Sequence, residues 1–292
     1  MSSLARAQGS PAPAPSSTET DLLSRLLNLA RDERSPPCIR VLAKNSHTLS
    51  AVDIDTPLLA VPLQGSKRAR EKGDWIDIAP GQILLVPHAI AFDIENIPDP
   101  QTGFYVAIGI PLEDHVLSAA RHLVRNPVLV KDGGGISCIP LAPHVDDLTN
   151  WLDALSKGDL ARACHSVVGI VLTLYAQGHR TLLYAPAPAL SVRIRKMVDT
   201  DPTREWSSAD IETKLGISGA TLRRHLAAES LSLREIISNS RLSHALTLLL
   251  TTRLPVKSIA ARAGYASISS FVKRFRARYG VEPSAIGGLG GI

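Results

Sequence analysis

The stretch 256–281 constrains the fold more than any other part of this chain. Apolar residues three to four positions apart give its first helix one buried face, and Gly264 supplies the positive φ that ends the helix. Ser267 then caps a second helix. That helix carries aromatic residues on one face and cations on the other: Phe271 and Phe275, then Lys273, Arg274, Arg276 and Arg278. The pattern predicts a helix-turn-helix whose second helix fits the major groove of DNA.

A second copy of this pattern occupies residues 208–226, with Gly216 at its turn and Ser218 as the cap of its second helix. The capped helix combines apolar and basic residues: Leu222, Leu226, Arg223 and Arg224. Either copy alone is compatible with a helical hairpin that has a solvated basic face. Two copies whose caps lie 49 residues apart favour a DNA-binding module instead. The segment 233–252 is predicted to be one amphipathic helix that spaces the two units for successive turns of DNA.

This constellation resembles the DNA-binding domain of the AraC/XylS family of bacterial transcription regulators. The matching residues are Ser218, Leu222, Arg224, Arg241, Ala245, Leu249, Val256, Ile259, Ala260, Gly264, Tyr265, Ser267, Phe271, Phe275, Gly280 and Pro283. The resemblance covers the last third of the chain. It implies double-stranded DNA and RNA polymerase as partners, and it favours an activator. Departures from the family pattern are Leu226 for Phe, Ser230 for Gly, Lys273 for Arg, and Ser284-Ala285-Ile286 for the usual Tyr-Arg ending.

The positions of the caps predict which side chains face DNA. In the first unit they are Ser218, Ala220, Thr221, Arg223 and Arg224. In the second unit they are Ser267, Ile268, Ser269, Val272 and Lys273, with Arg274, Arg276 and Arg278 available for the phosphate backbone. Arginine binds guanine edges or phosphates, whereas lysine lacks the planar fork and acts as a point charge. We therefore expect a looser base preference in the second unit.

The charge distribution agrees with a basic C-terminal module. Residues 191–292 hold 16 Lys and Arg against 8 Asp and Glu, and the preceding residues hold 16 against 19. This asymmetry is typical of a phosphate-binding domain attached to a neutral or acidic one. The three cysteines, Cys38, Cys138 and Cys164, form no C-x-x-C pair, so neither a disulfide framework nor a cysteine zinc site is predicted. No apolar run is long enough to span a bilayer, and we expect a cytoplasmic protein without membrane contact.

The first two thirds of the chain predict a β-rich domain. Residues 1–17 are rich in Ala, Pro and Ser and are expected to be a disordered tail, and 18–31 have the spacing of a helix. Seven or eight short apolar or alternating runs punctuated by turn residues follow over 38–112. They favour an antiparallel barrel or a double-sheet jelly roll. The predicted fold class is therefore α+β, with an all-α domain after the barrel that holds the two helix-turn-helix units and their linker helix.

Residues 80–88 resemble the core of a cupin domain, in which a Pro-Gly turn leads into an apolar strand. The resemblance implies an N-terminal sensor of a small effector or a partner protein. Cupin enzymes hold a metal with several histidines and a glutamate, whereas this run offers only His88. We expect His88 to be hydrogen-bonded at the barrel rim, and we predict no metal and no cofactor.

Helical runs at 113–128 and 144–179 follow the barrel. The second is an apolar hairpin that either forms a homodimer contact or packs on its own barrel, and both alternatives remain open. The proline-rich segment 184–190 is predicted to be an extended linker that separates the domains without locking them together. The predicted domains are thus a sensor at 18–183, with its barrel at 38–112, and a DNA-binding domain at 191–288.

Three functions compete at this point. The first is a sequence-specific transcription regulator with a sensor domain that also dimerises. The second is a cupin-class enzyme with an accessory nucleic-acid module, and the third is an architectural DNA-binding protein without effector control. A metal triad, a Gly-rich phosphate loop, a G-x-S-x-G elbow and a recognisable Cys/His pair are all missing from the sequence, so we predict no catalytic residues and favour the regulator.

Overall fold

The computed structural model describes residues 16–32, 38–125, 134–185 and 187–286. Helix α1, Ser17–Arg31, begins at a capping box in which Ser16 and Glu19 bond each other's backbone N–H groups. The predicted tail lies outside the described residues except at its last two positions. The last two residues of the predicted DNA-binding domain, 287 and 288, also lie outside them.

In the part of the N-terminal domain that the structure describes, nine strands form two antiparallel sheets, as the prediction of an α+β fold requires. They are β1 Ile39–Ala43, β2 His47–Ile54, β3 Leu58–Gln64, β4 Ser66–Arg70, β5 Ile76–Ile78, β6 Gln82–Val86, β7 Ile90–Ile97, β8 Tyr105–Pro111 and β9 Ser137–Pro140. One sheet has the order β1-β8-β3-β6-β9, and the other has the order β2-β7-β4-β5. This is the double-sheet form of the two predicted alternatives.

The short runs that predict strands in the sequence do not include β4 or β9. Strand β4 reads Ser-Lys-Arg-Ala-Arg, and its inward positions hold Lys67 and Ala69, so it lacks the apolar alternation that marks a strand. Strand β9 lies far along the chain from the other strands and pairs with β6 at the edge of the first sheet. Both strands form because they pair with neighbouring strands. The local sequence pattern contains no signal of that pairing.

Helices pack on the outer face of the first sheet. They are α2 Asp114–Leu123, α3 Val145–Ser156, α4 Leu160–Ala176 and α5 Thr181–Tyr184, with a 3₁₀ turn at Ala142–His144. The buried faces of α3 and α4, including Trp151 and Val171, belong to one core with α1 and the strands β3 and β8. The helical hairpin therefore buries most of its apolar face within its own domain. None of the helices in the described parts of the chain is long and apolar enough to cross a bilayer.

Over residues 187–286, seven helices form the C-terminal domain. They are α6 Leu190–Asp199, α7 Ser208–Leu215, α8 Gly219–Ala228, α9 Leu233–Thr251, α10 Val256–Arg262, α11 Ile268–Tyr279 and α12 Pro283–Ile286. The core of the first helix-turn-helix includes Trp206, Ile211 and Leu222, and α9 contributes Ile236 to it. Further along α9, Leu246 and Leu249 belong to the core of the second unit. The long helix thus joins the two units by lending residues to each.

The C-terminal domain is docked on the N-terminal domain. Helix α9 packs against β1 and α11 packs against β2, and a continuous apolar cluster runs from the second sheet into the second helix-turn-helix unit. The imidazole Nε2 of His47 in β2 also lies 2.7 Å from the carbonyl oxygen of Ala285. The expectation that the linker leaves the domains unlocked is therefore wrong. An extended linker limits only the distance between the domains. Their relative orientation is determined by the apolar surface that is buried between them.

Candidate DNA-binding surface

The first unit has the backbone geometry of a helix-turn-helix. Gly216 ends α7 in the left-handed conformation at φ 66° and ψ 34°. The hydroxyl of Ser218 then accepts the N–H of Thr221 at 3.2 Å and begins α8. Leu222 and Leu226 anchor α8 in the core of the unit, and this fixes which side of the helix faces solvent.

The predicted contact residues of α8 lie on its solvent side. Ala220, Arg223 and Arg224 are exposed. Within the described residues neither arginine has an ion pair, so both guanidinium groups are available to a polyanion. The other two predicted residues serve the helix cap, because the hydroxyls of Ser218 and Thr221 lie 3.0 Å apart and contact each other.

The second unit repeats this geometry. Gly264 adopts φ 78°, and the hydroxyl of Ser267 accepts the N–H of Ser270 at the start of α11. Ile268, Ser269 and Lys273 are exposed, as the prediction requires. Val272 is half-buried and packs against the core of the unit. Ser270 is exposed one turn before Lys273, and the prediction omits it because a small hydroxyl inside a helix carries no distinctive signal.

The three arginines assigned to the phosphate backbone differ in their surroundings. Arg274 donates to the hydroxyl of Ser238 at 3.2 Å, and Arg276 contacts Glu282 at 3.3 Å; both arginines remain exposed. Arg278 instead points to the N-terminal domain. Its Nη2 donates to the carboxylate of Asp53 at 2.7 Å and to the carbonyl oxygen of Ala51 at 2.9 Å. In this arrangement Arg278 is withdrawn from DNA, contrary to the prediction.

A second candidate site lies between the two domains. A cavity of about 130 Å³ lies between the two sheets, and α9 residues, including Leu246 and Leu250, complete its lining. Its walls are apolar apart from a few groups, among which are Lys67 and Asn96. The ammonium of Lys67 donates to the Asn96 side-chain oxygen at 2.5 Å and lies 5.5 Å from the centre of the Tyr105 ring.

Lys67 is a buried cation without a carboxylate partner in the described residues. Burial lowers its pKa from 10.5 to about 8, because the apolar surroundings disfavour the charged form. A buried ammonium that has one amide and one aromatic ring as neighbours is incompletely compensated. The sequence gives no sign of this site, because Lys67 lies in the strand that the pattern analysis misses.

The cupin-like run does not form a metal centre in the described residues. Both ring nitrogens of His88 lie 3.0 Å from backbone carbonyl oxygens, those of Ala89 and Gly134. Across the residues with described positions, no group of three or more His, Cys, Asp or Glu side chains is arranged to hold a metal ion.

Comparison with known proteins finds sequence similarity in the C-terminal domain. Residues 211–287 match the family model described as a helix-turn-helix domain. The chain is 32% identical over 103 residues to the HTH-type transcriptional activator FapR of Escherichia coli, which covers 35% of this chain and 40% of that protein. It is 34% identical over 92 residues to the TCP pilus virulence regulatory protein of Vibrio cholerae, which covers 32% of this chain and 33% of that protein. Each match therefore spans well under half of the relative's length.

Solved structures extend the similarity of fold to both domains. An apo variant of ToxT from Vibrio cholerae strain SCE256 has a TM-score of 0.64 at 18% identity, covering 87% of this chain and 97% of that one. Wild-type ToxT bound to an unsaturated fatty acid has a TM-score of 0.63 at 17% identity, covering 87% and 96%. The arrangement of capped helices around Gly216 and Gly264, the family match and the shared fold agree with the resemblance stated from the sequence. The C-terminal domain of this chain is a double helix-turn-helix domain of the AraC/XylS type.

Proposed function

We propose that the whole chain is a sequence-specific DNA-binding transcription regulator that activates its target genes. The observation that carries the proposal is the pair of capped, basic helices α8 and α11, fixed by cores that share one long helix. The relatives that match in this region carry the name of transcriptional activators or virulence regulators. A non-enzymatic role, a cytoplasmic location and recruitment of RNA polymerase are parts of the same proposal.

The proposed division of labour follows the predicted boundaries. Residues 18–183 serve as the sensor, 184–190 as the linker and 191–288 as the DNA-binding domain. Base edges are read by the exposed side chains of the two recognition helices: Ala220, Arg223 and Arg224 in α8, and Ile268, Ser269, Ser270 and Lys273 in α11. Ser218, Thr221 and Ser267 position these helices through their caps, and Arg274 and Arg276 contact phosphates.

Selection of bound duplexes from a random DNA library by the full-length chain tests this proposal. We expect a bipartite site, because two units in one chain address two neighbouring major grooves. Replacing Arg223 or Arg224 by Ala should cost about 1–3 kcal/mol on the selected site. Arg193→Ala is the matched control, because Arg193 is equally exposed but lies on α6. Failure to enrich any sequence would contradict sequence-specific binding.

The interdomain cavity supports a small apolar carboxylate as the effector. Its walls suit an apolar chain, and the ammonium of Lys67 lacks the carboxylate that a buried cation requires. The unsaturated fatty acid bound to ToxT has this chemistry, and the two chains share a fold. We therefore infer that Lys67 binds the carboxylate of the effector and that the two sheets and α9 bind its apolar part.

The volume of the cavity limits how much of an effector it can hold. An engineered apolar cavity of about 150 Å³ holds a benzene-sized molecule, so the present cavity of about 130 Å³ holds only a short apolar group. A longer chain extends beyond this volume, and α9 forms part of the cavity wall that it meets. Because α9 joins both helix-turn-helix units, an effector of this kind is linked to the geometry of DNA binding.

Calorimetric titration of the full chain with a series of fatty acids tests the effector proposal. The methyl ester of each acid is the matched control, because it keeps the apolar chain and removes the charge. We expect binding of the acids, no binding of the esters, and loss of acid binding in Lys67→Met. Equal binding of acid and ester would contradict the role of Lys67.

Homodimerisation through 144–179 also remains a proposal. Most of the apolar face of this hairpin packs on its own domain, and Leu160 at the start of α4 is the large apolar residue left 61% exposed. Sedimentation of the full chain at micromolar concentration tests the dimer, with Leu160→Glu as the variant expected to dissociate it. A strictly monomeric wild-type chain would favour a partner protein as the ligand of this surface.

A further inference from the structure

The contact between the domains includes a clamp of charged residues that joins two helices of the C-terminal domain to one strand. Its members are Asp53 and Asp55 at the end of β2, Arg195 in α6 and Arg278 in α11. Asp55 binds Arg195 through both oxygens, with the shortest contact at 2.7 Å. Asp53 lies 2.7 Å from Arg278 and 3.7 Å from Arg195. One carboxylate of the N-terminal domain therefore contacts both α6, the helix before the first unit, and α11 of the second unit.

The clamp is buried more deeply than ordinary surface ion pairs. The side chain of Asp53 is 6% exposed, and those of Arg195 and Arg278 are 12% and 23% exposed. Buried ion pairs are screened less by salt, and removing one partner leaves an unpaired charge. The clamp thus holds the domains together in a way that an exposed pair does not.

The backbone of β2 is distorted at the point where it receives Arg278. The pairing of β2 with β7 changes register between Leu49 and Val52, and Ala51 adopts φ 47°. A positive φ is unfavourable for alanine, and bulges redirect groups at the edge of a strand. Here the bulge directs the carbonyl oxygen of Ala51 to Arg278, while its N–H donates to Asp93 at 2.9 Å. Local strain at this position supports a functional contact.

Arg278 is a member of the recognition helix of the second unit. The exposed cations of α11 are Lys273, Arg274 and Arg276, and they form a face that can bind phosphates. Arg278 could add to this face only if its contact with Asp53 were broken. Its Nε remains buried without an acceptor in the docked arrangement. The carboxylate of Asp53 and a DNA phosphate therefore compete for the guanidinium group of Arg278.

We propose that the Ala51 bulge and Asp53 form an internal receptor for Arg278 that restrains the DNA-binding domain and lowers its affinity for DNA. The contact is autoinhibitory: the acidic strand end occupies an arginine of the recognition helix and holds the DNA-binding domain in the docked orientation. DNA binding releases Arg278 to a phosphate, and any effector that separates α9 from the sensor favours the same release. The proposal rests on the proposed DNA binding but not on sequence specificity.

Binding of the full-length chain to a random-sequence duplex, measured by fluorescence anisotropy across a salt series, tests the clamp. In Asp53→Asn we expect the dissociation constant to fall about tenfold, the scale of one charge-assisted hydrogen bond. The slope of log K against log salt should steepen by about 0.9, the value for one further phosphate contact. Adding Arg278→Ala to this variant should reverse both changes. Asp74→Asn is the control, because it removes one exposed carboxylate outside the clamp.

Arg278→Lys is a second variant in case Asp53→Asn fails to fold. Lysine keeps the charge for phosphate but cannot donate in a fork to Ala51 and Asp53 together, so we expect tighter DNA binding in this variant as well. Unchanged or weaker binding in the folded variants would overturn the clamp. A wild-type chain that binds no DNA at all would contradict the proposed function instead, so the two failures are distinguishable.

Discussion

The guanidinium group of Arg241 lies against the α-carbon of Gly264. A β-carbon at position 264 would be 3.0 Å from Nε of Arg241 and 2.4 Å from the carbonyl oxygen of Pro202. Arg241 donates to the carbonyl oxygens of Pro202 and Arg204, each at 2.9 Å. Because Pro202 lies in the loop between α6 and α7 and Gly264 in the turn of the second unit, Arg241 links the segment before the first unit to the second unit.

The turn glycines of the two units differ in their packing, and this gives a matched pair of substitutions. Gly264→Ala combines a left-handed φ of 78° with a clash against Pro202, and we expect it to lower the free energy of unfolding by about 3 kcal/mol or more. Gly216→Ala has a similar φ of 66° but open space around its β-carbon, and about 1 kcal/mol is expected. Chemical denaturation of both variants measures the difference. Equal losses would contradict the clash between a β-carbon at position 264 and Pro202.

Replacing Ser230 by glycine should stabilise the folded chain. It follows α8 at φ 55°, and the N–H of Leu231 bonds the carbonyl oxygen of Leu226 as in a helix C-cap that favours glycine. Ser230→Gly is expected to raise the free energy of unfolding by about 0.5–1 kcal/mol, after allowing for the extra entropy of the unfolded chain. Gly280 ends α11 at φ 79°, and Gly280→Ala should have the opposite effect. A destabilised Ser230→Gly protein would contradict the strain at this cap.

Lys67 makes the stability of the sensor domain depend on pH. Its pKa is about 8 in the folded chain and near 10.5 in the unfolded chain, so between these values the unfolded chain holds more protons. The free energy of unfolding should therefore rise with pH through this window, by roughly 3 kcal/mol at most. Lys67→Met should abolish this part of the rise and should stabilise the chain at pH values below about 8.

The free energy of unfolding is measured by denaturation of wild type and Lys67→Met across a pH series. The difference between the two proteins isolates the contribution of Lys67 from those of the other titrating groups. Lys72→Met is the control, because Lys72 is exposed on the turn after β4. A Lys67→Met protein that follows the wild-type pH profile would show that the lysine is not a buried cation.

Lys273 should limit the base preference of the second unit. It is exposed on α11 where the family usually has arginine, and a lysine binds guanine without a planar fork. We expect Lys273→Arg to sharpen the preference at one base pair of the second half-site by about 1–3 kcal/mol. Selection from a random duplex library with both proteins measures the change. An altered first half-site with an unchanged second one would contradict the placement of α11.

Elements with local causes can be predicted from the sequence alone. Glycines at 216 and 264, caps at Ser218 and Ser267 and apolar residues at helical spacing lie within a few positions of the structure they produce, so the helix-turn-helix units follow from the pattern. The antiparallel character of the first domain also follows from short runs between turns. These signals rest on φ preferences and on burial of one face, and both act over a few residues.

Contacts between charges and surfaces that are distant in the sequence depend on the tertiary fold. Lys67 occupies an inward strand position because β4 pairs with β7, although its own run of residues is polar. Arg278 reads as one more cation of a DNA-binding helix, yet it binds Asp53 more than two hundred residues earlier in the chain. The physical reason is that burial of apolar surface between the domains fixes which groups are dehydrated together, and a linear pattern does not contain that information.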